Sequence, residues 1–243
     1  MTKIFFDKFS RTPDYSSNII EIDNIESNYL IIKMTRPDKF FFESGQHIPI
    51  FMKDSQGEFQ FCYSIASSAK NKNYLELCVQ ITGEGRGVKF WKNLTLDDNI
   101  YFDKAKGNFK ITNLNVPIFL FAGGSGISPV RSILLDIFES DLELKNNIHL
   151  IYACKKAEAF SFENELIQLS KKHASLLKVH FIAEEGNFSN KQKGNILLGI
   201  ENILNEMSIS SHFYICGSPG MVNAVWNNLL DKNISPSNIF KEF

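Results

Sequence analysis

The sequence predicts a β plus α/β fold: an antiparallel β-barrel domain over residues 1–112, followed by a parallel-sheet α/β domain over residues 113–243. Two observations carry this. Ahead of Gly107, short runs of strand-forming residues recur between turn signals, the pattern of an antiparallel barrel. Beyond Pro117, apolar strand-like runs alternate with segments of helical period, the pattern of βα units on a parallel sheet. The change of character falls between these points, without an internal repeat or a low-complexity linker.

In the first domain, strands are expected over 16–22, 29–34, 48–53, 58–66, 74–81 and 100–102, separated by turn-forming residues. A single helix is expected over 87–94, with Val88 and Trp91 on one side. In the second domain, strands are expected over 118–122, 148–154, 178–182 and 213–216, and helices over 129–139, 161–173, 196–207 and 220–231. The run 116–122 is apolar throughout, as a strand covered on both faces requires. In the helix after it, Val130, Ile133, Leu134 and Ile137 fall at helical spacing.

Composition excludes several function classes. With 26 Lys+Arg against 27 Asp+Glu, the net charge is -1, and a surface without a basic excess draws neither nucleic acid nor an anionic membrane. Lysine pairs such as Lys155-Lys156 and Lys171-Lys172 read as solvated faces. No apolar run reaches the length of a membrane span, and Lys3, Asp7 and Lys8 interrupt the amino terminus too early for a signal peptide. A soluble cytoplasmic protein, monomeric and long enough for two cores, is expected. Cys62, Cys78, Cys154 and Cys216 lie too far apart for an iron–sulfur cluster, and no metal site is expected. Cys78 and Cys154 stand in apolar runs, as small core residues do.

Two strand ends carry chemistry. Gly123, Gly124, Ser125 and Gly126 follow the apolar strand and lead through Ile127 and Ser128 straight into a helix. Glycines there leave backbone N–H groups bare at the positive end of a helix, where a dinucleotide pyrophosphate can approach closely. Ser128 is expected to cap that helix, with Pro129 where a missing N–H costs nothing. The pattern is Gly-x-Gly-x-x-Pro, not the usual Gly-x-Gly-x-x-Gly, and a lone turn of this kind is also compatible with simple packing. Downstream, Cys216, Gly217, Ser218, Pro219 and Met221 repeat the logic of apolar strand, small-residue edge and helix. Two such strand ends facing one crevice are what ligand binding at the carboxyl edge of a parallel sheet requires.

Together with Gly45-Gln46, Cys62-Tyr63-Ser64-Ile65-Ala66-Ser67, Gly107-Asn108-Phe109 and the terminal Glu242-Phe243, these motifs resemble the ferredoxin–NADP reductase superfamily in order and spacing, over nearly the whole chain. The nearest resemblance is to NAD(P)H–flavin reductases and to the flavin/nicotinamide modules of oxygenase reductases. It implies a flavin-binding barrel, a nicotinamide-nucleotide-binding domain, and hydride transfer from NADH or NADPH to FAD or FMN in the cleft between them. It further implies that Tyr63 lies against the ribityl chain and ring, flanked by Cys62 and Ile65, while Ser64 hydrogen-bonds flavin N5. Gly85, Arg86 and Gly87 resemble a second phosphate loop. Gly123 to Ser128, with Gly217, Pro219 and Met221, resemble the nicotinamide-nucleotide site, and Cys216 the residue beside the nicotinamide ring. Ser64, Cys216 and Glu242 are the catalytic residues so implied.

The residues suit these roles. Strand alternation puts Cys62 and Ser64 on one face and Tyr63 and Ile65 on the other. Hydride transfer needs donor and acceptor within about 3–3.5 Å, so a small, soft side chain such as Cys216 fits beside the ring. The cofactors carry the chemistry and the protein orients them and excludes water, so none of the five histidines, His47 included, is nominated as a catalyst.

The chain departs from the pattern at Phe61, where the resemblance implies an arginine neutralising a flavin phosphate, and at Val88, where it implies a small hydroxyl residue. Arg86 either supplies the lost charge or is a solvated turn residue. Lys155 and Lys156 would accept a 2′-phosphate, whereas Glu184 and Glu185 would favour a free 2′-hydroxyl, and the balance leans to NADH. The resemblance also implies a terminal aromatic beside the flavin, for which Phe240 and Phe243 are both candidates, Phe240 alternatively packing a final strand. Two function classes follow. One is an enzyme that reduces flavin as a dissociable substrate; the other is an FAD-holding module that passes electrons to an acceptor protein such as a ferredoxin or an oxygenase component.

Overall fold

The computed structural model describes residues 9–26, 28–96, 98–140 and 144–242. Strands β1 (Tyr15–Ile25), β2 (Tyr29–Thr35), β3 (His47–Asp54), β4 (Gly57–Ser64), β5 (Tyr74–Gln80) and β6 (Asn99–Phe102) form an antiparallel sheet in the order β4-β3-β6-β1-β2-β5. A bridge between Ile65 and Leu77 brings the end of β4 to β5, so the two edge strands meet and the sheet curls around its core. Ile32, Met34, Ile48, Ile50, Leu75, Leu77 and Phe102 fill that core, together with Trp91 of helix α1 (Arg86–Lys92).

The second sheet contains β7 (Ile118–Gly123), β8 (Ile148–Lys156), β9 (Leu177–Glu185), β10 (Gln192–Lys193), β11 (His212–Cys216) and β12 (Ile239–Glu242), all parallel, in the order β10-β9-β8-β7-β11-β12. Helices α2 (Ile127–Phe138), α3 (Glu163–Lys172), α4 (Ile196–Asn202) and α5 (Pro219–Asp231) cover it. Phe119 and Phe121 of β7 enter the core shared with α4 and α5, while Ile118, Leu120 and Ala122 enter the core shared with α2 and α3. A strand covered on both faces reads as an unbroken apolar run. The latter core also holds Tyr29, Ile31 and Cys78 of the first sheet, so the two halves share an apolar seam. The chain runs outward from β7 through β8 and β9 and then returns to β11 on the other side, which puts the topological switch point between β7 and β11.

Strands β10 and β12 add to the four expected in this sheet, and the helices of this half depart from their expected bounds chiefly in three places. A 3-10 turn over Gly124–Gly126 runs directly into α2, so the helix starts ahead of Ser128; its hydroxyl donates to the Ser125 carbonyl at 2.9 Å instead of capping the helix. Helix α3 begins at Glu163 because Phe162 takes a left-handed conformation, φ 60°. Helix α4 stops at Asn202 and gives way to a 3-10 turn over Leu204–Glu206. Among the described residues, no helix is long and apolar enough to cross a membrane, and no cluster of potential metal ligands occurs.

Candidate active site

At the switch point a cleft of about 680 Å³ opens beyond the carboxyl ends of β7 and β11. Gly123 at the end of β7 and Gly124 and Ser125 of the 3-10 turn line it, and so do Gly217, Ser218, Pro219 and Met221 at the turn into α5. Lys155 and Glu184, at the ends of the next two strands, complete this side, and Tyr29 and Gln80 of the barrel form the facing wall. Ser218 caps α5 by accepting from the Met221 N–H at 3.4 Å, with Pro219 in the first turn.

Four expected contact residues do not line the cleft. Gly126, Ile127, Ser128 and Cys216 are buried beneath it, the first three in the turn and first residues of α2 and Cys216 at the end of β11. A side chain at Gly126 would collide with the Cys216 carbonyl, so this glycine lets β11 pack against the turn. Cys216 is 4% exposed, and burial first, then the Glu242 charge, pushes its thiol up to about 12. It therefore stays an uncharged thiol at neutral pH and not a nucleophile.

The flavin strand reaches the same region. In β4, Ser64 lies directly opposite His47 of β3, so the two side chains share one face. In β12, Glu242 pairs in register with Cys216. The two pairs meet where His47 Nδ1 lies 3.0 Å from Glu242 Oε1. A carboxylate only accepts, so Nδ1 carries a proton and donates it to Glu242. Gly107, at φ +105°, permits this approach, since a Cβ there would stand 3.1 Å from His47 Nδ1. Sequence reasoning passed over His47, as it did Tyr29 and Gln80 of the cleft wall. The available signal for His47 was its position in a strand beginning just after Gly45-Gln46.

Along the rest of β4 the expectations divide. Cys62 is exposed, on the Ser64 face. Tyr63 is half-buried and packs edge-on against Trp91 with ring centroids 5.0 Å apart, which fixes the strand against α1. Ile65 is fully buried in the barrel core and so supports the strand without facing a ligand. Gly85 is exposed at the start of α1, and Gly87 is buried against Phe61 and the Tyr63 hydroxyl.

Arg86 is neither a free cation nor a solvated turn residue. Its Nε and Nη2 donate to the two carboxylate oxygens of Asp54 at 2.6 and 2.7 Å, Nη2 also donates to the Gly57 carbonyl at 2.8 Å, and the guanidinium lies 4.0 Å over the Phe59 ring. At the carboxyl terminus, Phe240 stacks on Tyr214 at 4.6 Å with an interplanar angle of 12°, so it packs β12 onto the sheet. The other candidate, Phe243, lies outside the described residues.

Residues 17–111 match the family model for the oxidoreductase FAD-binding domain, and residues 120–227 match that for the oxidoreductase NAD-binding domain. The chain is 28% identical over 244 residues to sulfhydrogenase 2 subunit gamma of Pyrococcus furiosus, spanning 93% of this chain and 82% of that protein. It is 25% identical over 225 residues to NADH-cytochrome b5 reductase 1 of Lodderomyces elongisporus, spanning 90% and 73% respectively. A ferredoxin NADP+ reductase from Neisseria gonorrhoeae, solved with bound FAD and NADP, has the same fold, with TM-score 0.80, 21% identity and coverage of 94% of this chain and 97% of that one. Fold, cleft and domain order define an oxidoreductase with an FAD-binding and an NAD-binding domain. The chain belongs to the ferredoxin–NADP reductase superfamily.

The residues present fit a nicotinamide nucleotide, because the cleft is edged by glycine backbone and walled by both domains. They also fit the ring of a flavin, because Ser64, His47 and Glu242 converge beside β4. Farther along that strand, Phe61 is 47% exposed.

Proposed function

We propose that this chain is an NAD(P)H:flavin oxidoreductase that reduces a dissociable flavin between the barrel and the parallel sheet. The observation that carries the reading is the junction of Ser64 and His47 of one domain with Cys216 and Glu242 of the other, beside the nucleotide cleft. When bound, the nicotinamide supplies a hydride and the flavin accepts it. Ser64 offers its hydroxyl toward flavin N5, with Cys62 and Tyr63 beside it. Cys216, small and uncharged, leaves room beside the nicotinamide. Gly123, Gly124, Ser125 and Gly217 present backbone to the pyrophosphate, with Pro219 and Met221 closing the turn. Glu242 accepts from His47 Nδ1 and thereby fixes the orientation of the ring. Lys155 and Glu184 both line the cleft; the carboxylate, which repels a 2′-phosphate and accepts from a 2′-hydroxyl, inclines the reading to NADH against the lysine, which would accept that phosphate.

A second reading is an electron-transfer module with bound FAD. The names of the relatives, a cytochrome b5 reductase and a hydrogenase subunit, favour it, because each points to a protein acceptor. Gel filtration of the purified protein, followed by NADH oxidation with and without added flavin, separates the two. The reductase reading expects a colourless protein whose turnover saturates with added flavin. A yellow protein that retains its flavin, and gains nothing from more, supports the module.

A further inference from the structure

We infer that Tyr29, a residue of the barrel, donates its hydroxyl to the pyrophosphate of the nicotinamide nucleotide, so that the ligand is gripped from both domains at once. This inference rests on the reading of the cleft as a nucleotide site. Tyr29 opens β2 and lies directly opposite Gln80 of β5, and the two form the barrel's wall of the cleft. They stand there on different terms. Gln80 is exposed, and its Nε2 donates to the Thr82 hydroxyl at 2.6 Å. Tyr29 is 8% exposed, its ring packed in the apolar seam with Ile31 and Cys78, and among the described residues its hydroxyl has no hydrogen-bond partner. A sheltered phenol without a partner forgoes the hydrogen bond it had in water, and one that lines a cleft regains it from a ligand.

The hydroxyl reaches over the turn that leads into α2. A Cβ at Gly124, which sits at φ +55°, would stand 2.5 Å from the Tyr29 oxygen, so only glycine admits this approach. The carbonyls of the turn are taken up from within the protein. Tyr152 accepts from the Ser161 N–H at 3.3 Å and donates to the Gly124 carbonyl at 3.2 Å, while the Ser128 hydroxyl donates to the Ser125 carbonyl at 2.9 Å. The first N–H groups of α2, a helix of 12 residues, have no partner inside the helix. Donors from the turn and from Tyr29 together suit an anionic group with several acceptor oxygens, which a pyrophosphate is. Burial holds the Tyr29 hydroxyl above the usual phenol range and pushes the nearby Cys78 and Cys154 thiols up to about 12. The phenol therefore keeps its proton, and neither thiol carries a charge that would repel an anion.

Calorimetric titration of ADP-ribose and of AMP into the full chain, as wild type and as Tyr29→Phe, tests this without turnover. Tyr29→Phe is expected to weaken ADP-ribose by about tenfold or more, the cost of a lost hydrogen bond to a charged group, and AMP, which lacks the pyrophosphate, by less than about threefold. The same variant is expected to unfold in urea at the wild-type midpoint or above it, because it removes a hydroxyl that bonds to nothing in the free protein. ADP-ribose affinity unchanged within about twofold overturns the inference and leaves the nucleotide cleft intact. Stability lost alongside affinity, or a variant that does not fold, would make the hydroxyl structural and refute it as well. An equal loss for AMP and ADP-ribose would put the bond elsewhere on the nucleotide and contradict the assignment to the pyrophosphate. A wild type that binds neither ADP-ribose nor NADH overturns both the inference and the reading of the cleft.

Discussion

The His47 imidazole meets the Glu242 carboxylate at 3.0 Å across 195 residues of sequence, joining the first strand of the flavin hairpin to the last strand of the nucleotide domain. Both side chains are about one-fifth exposed, so the contact is sheltered yet lies near the surface of the interdomain junction. His47→Ala and Glu242→Ala are each expected to slow flavin reduction about tenfold, the cost of a lost charged hydrogen bond, and the double variant is expected to be little slower than either. Stopped-flow rates for the three variants give the coupling; effects that simply add would show that the two residues act separately.

The carboxyl terminus offers a second test. Deleting Glu242 and Phe243 leaves Phe240 stacked on Tyr214, so stability is expected to fall by no more than about 1 kcal/mol. Nucleotide KM and the NADH/NADPH ratio are expected to change. Wild-type nucleotide kinetics in the truncated chain would make the terminus purely structural.

A buried ion pair holds the domains in place. Arg131 of α2, 5% exposed, donates to Glu76 Oε2 of β5 at 2.9 Å and to the Ala66 carbonyl at 2.7 Å, and makes two further bonds to Glu165 at 2.6 and 3.0 Å. Arg131→Met strands Glu76 without its partner and is expected to destabilise by about 3–5 kcal/mol in urea unfolding. Arg131→Met with Glu76→Met is expected to recover part of that loss. A single-variant loss below about 1 kcal/mol would mean that the pair does not secure the seam.

His149 sets an acid limit. It is 2% exposed and stacks on Phe119, with Nε2 3.4 Å from Glu206 Oε2. Burial lowers its pKa to about 4, with Glu206 opposing the shift. A histidine depressed in the folded state is charged more readily in the unfolded chain, so stability falls as pH drops through about 6.5 and continues to fall to about 4. The total is about 3 kcal/mol. Denaturation midpoints across this window are expected to decline more steeply for the wild type than for His149→Phe; parallel curves would assign the acid loss to other groups.

Much of the fold was legible in the sequence. The apolar run ending at Ala122 is covered on both faces, and the alternation of strands with helices beyond Pro117 reports a parallel sheet directly. Local glycine and proline signals also located the cleft edges at Gly123 and Gly217. What escaped depends on distant partners. Ser128 looked like a helix cap because nothing local reveals that a 3-10 turn extends the helix backward. The partner of Arg86 lies 32 residues away on β3, and that of His47 on the final strand, so neither pairing leaves a periodic or local trace. Tyr29 and Gln80 enter the cleft only because the two domains share a seam.

Hydride transfer between nicotinamide and flavin is tested most directly by anaerobic stopped-flow mixing of the protein and FMN with NADH, then with NADPH, following the loss of flavin absorbance. Rapid bleaching is expected with at least one nucleotide, faster with NADH, and Ser64→Ala is expected to slow it by the equivalent of about 1–3 kcal/mol through loss of a hydrogen bond at a sheltered site. No bleaching with either nucleotide would contradict the assignment of this cleft as a hydride-transfer site.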